Sequence, residues 1–250
     1  MTGADTAAGR LRAMHHGPRP LILPNVWDAA SARAYADAGF AALATSSGAI
    51  AVSLGYTDGH TPAREMLAAA ARIARSVDVP VTADIENGYG LPPGELVGRL
   101  LEAGLCGCNL EDSDPATRSL IEPARQANFL AAVRAASGSE LVINARVDVF
   151  VRKVPAGEGP AADAGVARAQ AYLAAGADCT YPILAPPEVL PDLVARISGP
   201  VNAMYRPGGP SLAQLAEVGV ARISFGTGLH TRAVESVRQM AAGLAAEAGG

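Results

Sequence analysis

Eight times along its length the chain sets a short apolar, β-branched-rich run ahead of an Ala-rich helical stretch, with Gly, Pro, Asp or Asn at the joins. The runs are Leu21–Leu23, Ala41–Thr45, Val79–Asp84, Gly107–Leu110, Leu141–Ala145, Cys179–Pro182, Val201–Met204 and Arg222–Ser224. Helix-compatible segments follow them, from Ala29–Ala38 in the first unit to Leu229–Ala246 in the last. Three helices end in the same device, Ala38-Gly39, Ala103-Gly104 and Ala175-Gly176, where glycine supplies the left-handed turn of a helix C-cap. Repeated β-then-α units build a parallel sheet, and eight of them in 250 residues fit one closed (β/α)8 TIM barrel. An open doubly wound sheet, which usually has about five or six strands, is the alternative. No Pro/Gly/Ser linker divides the chain, so residues 1–250 are expected to form a single domain, with 1–19 as an N-terminal arm or short helix. Lys153–Ala162 reads as a flexible connection after the fifth strand, and Glu247–Gly250 as a fraying end.

Half of the residues are hydrophobic and only 4% aromatic, so the interior must be built from Ala, Val, Leu and Ile. The net charge of −4 comes with no Lys/Arg stripe to neutralise phosphates, which disfavours nucleic acid as a partner. No apolar run approaches the roughly 18 residues that a membrane span needs. Met1–Arg12 lacks a basic-then-apolar signal pattern, and a cytoplasmic location is expected. Cys106, Cys108 and Cys179 sit in apolar stretches and read as buried thiols.

In a (β/α)8 barrel the chemistry lies at the C-terminal ends of the strands. Unusual polar residues gather there: Asn25-Val-Trp27-Asp28, Thr45-Ser-Ser47-Gly48, Asp84-Ile-Glu86, Asn109-Leu-Glu111-Asp112 and Asn144-Ala-Arg146-Val-Asp148, then Tyr181 and Asn202. Asp84 and Glu86 are two apart and share a side of their strand, while Glu111 and Asp112 arrive from the next one. Carboxylates converging in a barrel mouth repel unless a cation or protons compensate, and a set without clustered His or Cys favours Mg2+ or Mn2+. Asp28 and Asp112 could equally cap the helices that follow them. Arg146 can grip a substrate carboxylate bidentately, serve as a counter-charge for the acids, or do both. Ser47 and Gly48 offer a hydroxyl and backbone N–H groups to an anion. His15 and His16 are expected to face solvent, His60 to approach the mouth, and His230 to serve the last helix; Trp27 either walls the site or packs under a helix.

At these residues the chain resembles the isocitrate lyase and phosphoenolpyruvate mutase superfamily, from about Leu21 to Leu229. The likeness is carried by Val79-Pro-Val-Thr-Ala-Asp84-Ile-Glu86-Asn-Gly-Tyr-Gly90, Asn109-Leu-Glu111-Asp112, Asn144-Ala-Arg146-Val-Asp148 and Pro24-Asn-Val-Trp-Asp28. Thr45-Ser-Ser47-Gly48, followed ten residues later by Asp58, adds to it. The resemblance implies that Asp84 meets Mg2+, with Asp58, Glu86 and Glu111 around its water shell. It implies that Ser47, Gly48 and Arg146 bind a carboxylate and that the reaction passes through the enolate of a 2-oxo acid. Trp27 and Asn202, at the first and seventh strands, join the expected substrate-binding set by position. It also implies a homo-oligomer, a dimer or tetramer that exchanges the last helix.

The chain departs from the lyases of that superfamily in the loop after the fourth strand. Asp112-Ser-Asp-Pro-Ala-Thr-Arg-Ser119 has neither the Cys nor the His of their Lys-Lys-Cys-Gly-His-like segment, so isocitrate and 2-methylisocitrate are expected to be poor substrates. Relative to the phosphonopyruvate enzymes, Thr45 replaces a Trp and Glu86 replaces the second acid of an Asp-x-Asp pair. The leading expectation is a Mg2+-dependent lyase or decarboxylase for a small anionic 2-oxo or 2-hydroxy carboxylate, with Thr117, Arg118 or Tyr181 supplying or steering a proton. P–C chemistry on phosphonopyruvate, drawing on Arg118 and Arg206, is the second expectation, and a non-catalytic carboxylate-binding barrel the third.

Overall fold

The computed structural model describes residues 5–152 and 158–249. Nine short parallel strands are found among them: β1 (Leu21–Ile22), β2 (Asn25–Val26), β3 (Leu43–Thr45), β4 (Val81–Asp84), β5 (Gly107–Glu111), β6 (Val142–Val147), β7 (Cys179–Pro182), β8 (Asn202–Met204) and β9 (Arg222–Ser224). They pair in the orders β2-β3-β4-β5-β6-β7 and β1-β9-β8. Two links join these runs into a ring. A parallel bridge between Thr180 and Val201 connects β7 to β8, and β1 and β2 are halves of one segment, interrupted only by Leu23-Pro24. The expected first strand is thus split, because its first half pairs with β9 and its second with β3. Counted as one, it gives the eight-stranded barrel expected from the repeat.

Each barrel strand is followed by at least one helix: α2 (Ala29–Asp37), α3 (Ser47–Ser53), α4 (Ala63–Ala74), α5 (Pro93–Glu102), α6 (Pro123–Ser137), α7 (Glu158–Ala174), α8 (Leu190–Arg196), α9 (Leu212–Val218) and α10 (Gly228–Ala248). Gly39, Gly104 and Gly176 all have φ between +75° and +99°, the left-handed conformation that the Ala-Gly pairs require. The main core lies between strands and helices, with Leu43, Ile73, Leu100, Leu130, Ile143 and Tyr172 fully buried.

The N-terminal arm carries a helix, α1 (Ala7–Met14), which seats Leu11 in a cluster with Leu21, Leu23, Ala42, Ala44, Cys106 and Val142. This cluster gathers residues from the starts of several strands and seals the end of the barrel opposite the strand C-termini. His15 follows it inward, contrary to the expected exposure: it is 4% exposed, its Nδ1 lies 2.8 Å from the Leu11 carbonyl, and burial lowers its pKa to about 4. The packing of α1 accounts for the difference, since a histidine one turn past a buried leucine is carried in with it. His16 is exposed as expected.

Above this apolar floor the barrel interior turns polar. Asn144 donates to Asn109 at 2.8 Å, the Arg222 guanidinium donates to the same oxygen at 3.2 Å, and Asn202 donates to Ser224 at 3.2 Å. All four of Asn109, Asn144, Asn202 and Arg222 are buried. Branched apolar layers are the usual filling of such a barrel, and here asparagines surround a buried arginine instead. Of the connection expected at Lys153–Ala162, residues 153–157 lie outside the described residues and 158–162 already belong to α7. The C-terminal helix runs through Ala248 rather than fraying from Glu247, and Gly250 lies outside the described residues.

Candidate active site

Parallel register brings the chemistry together. Glu111 at the end of β5 is the register partner of Arg146 on β6, so both side chains leave the sheet on one side. The Arg146 guanidinium meets Glu111 at 2.6 Å through Nη1 and Asp148 through Nε at 2.6 Å and Nη2 at 3.0 Å. A guanidinium has five N–H donors, and these three contacts leave two for a ligand. Asp148 is fully buried and also accepts from the buried Ser113 hydroxyl at 2.5 Å. Arg146 is therefore a counter-charge for the acids, and it also lines the cavity that they surround.

Asp84 closes β4 half-buried, with its backbone N–H donating to Thr45 Oγ1 at 2.9 Å. Its Oδ2 accepts from the Ser47 hydroxyl at 2.7 Å and from the Ser47 backbone N–H at 3.3 Å. Ser46 caps the short helix that begins at Ser47. Gly48 is required for closeness: a Cβ there would meet the Asp58 carboxyl group at 3.1 Å and Thr227 Cγ2 at 2.8 Å. Glu86 has a φ of 53°, a strained region for a residue with a side chain. It is held there while its carbonyl accepts from the Glu111 N–H at 2.9 Å. Its Oε1 is buried without a hydrogen-bond partner.

Asp58, Glu86 and Glu111 share a cavity of about 330 Å3 with Ser47, His60 and Arg146, lined also by Pro115, Arg118, Val151 and Arg152, while Asp84 is held beside it by its bonds to Ser47. Their electrostatics are those of crowded negative charge. Burial, then Asp84 and Asp58, pushes the Glu86 carboxyl up to about 7. Burial pushes Glu111 up to about 8, with Asp148, Asp84 and Glu86 adding to it and Arg146 opposing. Asp58 is raised by burial and by Asp84. Burial works against the charge of Arg146, but Glu111 and Asp148 more than offset that and raise its pKa.

An unpartnered carboxylate oxygen and three raised carboxyl groups are the mark of a site with too little positive charge. An all-oxygen donor set fits a hard divalent cation such as Mg2+ or Mn2+. Asp84, Asp58, Glu86 and Glu111 are the residues that would hold it. Among the described residues no three His, Cys, Asp or Glu groups close on one point, so such an ion would keep water and substrate in much of its sphere, as Mg2+ commonly does.

Other expected site residues do not line this cavity, although Tyr181 is the register partner of Arg146. Tyr181 is 3% exposed, beside Ser224, and burial pushes its phenol up to about 12; Asn202 is tied to that same serine, in the barrel interior. Thr117 is on an exposed hairpin, its hydroxyl 2.7 Å from Ser119 Oγ, and does not line the cavity. Trp27 packs edge-on against His230, with ring centroids 5.0 Å apart, and borders a separate hollow with Asp28, Ile50 and Arg72. Arg206 lines a different hollow with Pro182 and Met204. Asp28 caps α2. Asp112 is fully buried, accepting from Arg168, the Tyr172 hydroxyl and the Asp148 N–H. The three cysteines are buried free thiols.

Arg152 is a cavity residue that the sequence did not single out. It lies four residues past Asp148, in the turn after β6, and its Nε donates to Ser113 Oγ at 2.9 Å. Its signal was the tight spacing of Arg146, Asp148 and Arg152 around one strand end.

Over residues 11–245 the chain matches the family model described as phosphoenolpyruvate phosphomutase. An uncharacterised protein of Mycobacterium tuberculosis is 35% identical over 215 residues, covering 86% of this chain and 80% of that protein. A crystal structure from Burkholderia cenocepacia, provisionally described as a phosphonomutase, is 42% identical with a TM-score of 0.88, over 94% of this chain and 98% of that one. The crystal structure of a 2,3-dimethylmalate lyase is 27% identical with a TM-score of 0.81, over 94% of this chain and 85% of that one. No helix among the described residues is long and apolar enough to cross a membrane.

The raised Glu86 sets a pH dependence. Its folded-state pKa of about 7 lies above the ordinary value of 4.5, so its contribution to stability is complete below about 4.5 and is lost as pH rises through 7. In a chelator, Tm should therefore fall between pH 5.5 and 8 by about 2–4 °C, the shift that about 1 kcal/mol gives in a chain of this size, and Glu86→Gln should flatten the trend. A Glu86→Gln profile identical to wild type would show that Glu86 does not carry this charge strain.

Proposed function

The chain belongs to the phosphoenolpyruvate phosphomutase family and is an enzyme of the superfamily shared with isocitrate lyase, and we propose that it is a Mg2+- or Mn2+-dependent lyase or decarboxylase. Its substrate is a small 2-oxo or 2-hydroxy carboxylate, cleaved at a C–C bond. The observation that carries this reading is that one cavity holds both a guanidinium with donors to spare, Arg146, and the acids Asp58, Glu86 and Glu111, all three of them raised by burial and by neighbouring negative charge.

Loss of CO2 from a 2-oxo substrate leaves the electron pair on the 2-oxo fragment as an enolate. Cleavage of a 2-hydroxy substrate, whose hydroxyl gives up its proton to become the new carbonyl, leaves the pair on the departing carboxylate fragment as its enolate. A divalent cation bound among these acids would supply Lewis-acid stabilisation of the developing oxyanion. Arg146 binds the adjoining carboxylate with the donors that Glu111 and Asp148 leave over, in a fixed orientation that costs no reorganisation when charge develops. Ser47 fixes Asp84 through two hydrogen bonds and so sets the direction of its remaining oxygen. Glu86 Oε1, buried without a protein partner, is the oxygen that would face the cation's water shell. Similarity to a chain described as a phosphonomutase favours a second reading, P–C bond chemistry on phosphonopyruvate.

A screen of 2-oxo and 2-hydroxy dicarboxylates, isocitrate, 2-methylisocitrate and phosphonopyruvate, with and without Mg2+, separates these readings by the product released. For the lead reading, Asp84→Ala should abolish metal-dependent activity. Arg146→Lys should weaken oxalate, a flat enolate mimic, by about tenfold or more, because an ammonium cannot reproduce a planar two-bond contact. Unchanged oxalate affinity in Arg146→Lys would assign Arg146 to counter-charge alone.

The last helix supports self-association. Val237, Met240 and Leu244 on α10 are 57%, 61% and 67% exposed and fall at helical spacing on one stripe, which is what a surface that packs against another copy presents. Sedimentation should show a dimer or tetramer for the wild type and a smaller species for Met240→Glu; a monomeric wild type would reject the homo-oligomer.

A further inference from the structure

Three guanidinium groups line the cavity: Arg146, Arg118 and Arg152. Arg146 is compensated by Glu111 and Asp148. Arg118 and Arg152 form no ion pair among the described residues, although acids line the same cavity.

Arg152 is held in place by the same buried carboxylate that orients Arg146. Its Nε donates to Ser113 Oγ at 2.9 Å, Ser113 Oγ donates to Asp148 Oδ2 at 2.5 Å, and Asp148 takes Arg146 through both oxygens. Ser113 and Asp148 are fully buried, so this relay does not compete with water. One aspartate thus fixes two guanidiniums, one directly and one through a hydroxyl. The terminal nitrogens of Arg152 have no hydrogen bond among the described residues, which leaves four N–H donors at the cavity.

Arg118 reaches the same cavity from the loop after β5. That loop is a short closed hairpin, with an antiparallel bridge between Ser113 and Leu120 and an Asp114 N–H donating to the Ser119 carbonyl at 2.9 Å. Arg118 sits within it at a φ of 56°, its N–H donating to the Asp114 carbonyl at 2.8 Å. Two guanidiniums presented to one cavity without a carboxylate of their own repel each other, and an anion between them removes that cost. The pair also suits a planar carboxylate or a phosphonate better than lysines would, because each fork makes two parallel bonds.

We propose that Arg118 and Arg152 form a second anion subsite, which receives a carboxylate or phosphonate at the end of the substrate remote from the enolate, so that the substrate is at least a dianion. This subsite rests on the lyase reading of the same cavity and adds the specificity that the reading lacks. Arg146 and the acids handle the reacting end; Arg118 and Arg152 select the length and charge of the other end. A one-ended ligand would use only half of the site.

Calorimetric titration of the full chain in Mg2+ tests this with three probes: oxalate, which has no remote group, 3,3-difluorooxaloacetate, which has a remote carboxylate, and phosphonopyruvate, which has a remote phosphonate. In Arg118→Gln combined with Arg152→Gln, affinity for one or both two-ended probes should fall at least tenfold, while oxalate changes less than twofold. Which two-ended probe binds the wild type more tightly identifies the remote group. Arg118→Gln alone, at an exposed position that leaves the Ser113 relay intact, should show part of the same selective loss. Equal losses for all three probes, or no loss for either two-ended probe, would overturn the subsite while leaving the enolate site standing. Failure of the wild type to bind oxalate in Mg2+ would overturn the enolate reading and the subsite with it.

Discussion

Arg146 bridges two acids that parallel strands bring to the same barrel mouth. Glu111 and Arg146 are register partners, and Asp148 lies two residues on, so the ion pairs follow from the pairing of β5 with β6. Removing one partner of a buried pair commonly costs about 3–5 kcal/mol, because the other charge is left uncompensated. Here the loss would spread further, since Asp148 also holds Ser113 and through it Arg152. Substrate-facing groups and supporting groups are thus parts of one connected arrangement.

The rest of the barrel is organised around that charge. Leu11 and its neighbours close the opposite end with apolar packing. Between floor and mouth lies the layer of Asn109, Asn144, Asn202 and Arg222, a polar filling that a purely structural barrel would not need. Arg222 is fully buried, and burial lowers its pKa while Asp84 is among the groups that favour its charge. It therefore adds positive potential beneath an acidic mouth. What it cannot supply is compensation at the mouth itself, where Glu86 and Glu111 remain raised.

The barrel was legible because its signal repeats: the strand and helix patterns and the Ala-Gly caps agree at successive joins, and three of the cap glycines take the left-handed conformation the motif demands. The position of Asp84, Glu86, Glu111 and Arg146 was legible for a related reason, since strand ends are fixed once strands are. Depth and direction were not. Tyr181 and Asn202 lie on the expected strands but are buried beside Ser224 and do not line the cavity, even though Tyr181 is the register partner of Arg146, a difference in depth that period-two alternation does not encode. Thr117 and Arg118 are neighbours in sequence, yet the hairpin brings only Arg118 to the cavity. His15 was misjudged because its burial depends on α1 packing against strands far along the chain, which local composition does not report.

The acids of the mouth are short of positive charge, and under the proposed function a divalent cation would complete them. Proton release on Mg2+ binding measures this most directly, through titration calorimetry at pH 7 in buffers of different ionisation enthalpy. With Glu86 titrating near 7, about half a proton should leave that group as the cation binds, and the release should shrink at pH 9 and in Glu86→Gln. Mg2+ binding with no proton release at pH 7, or no Mg2+ binding at all, would contradict it.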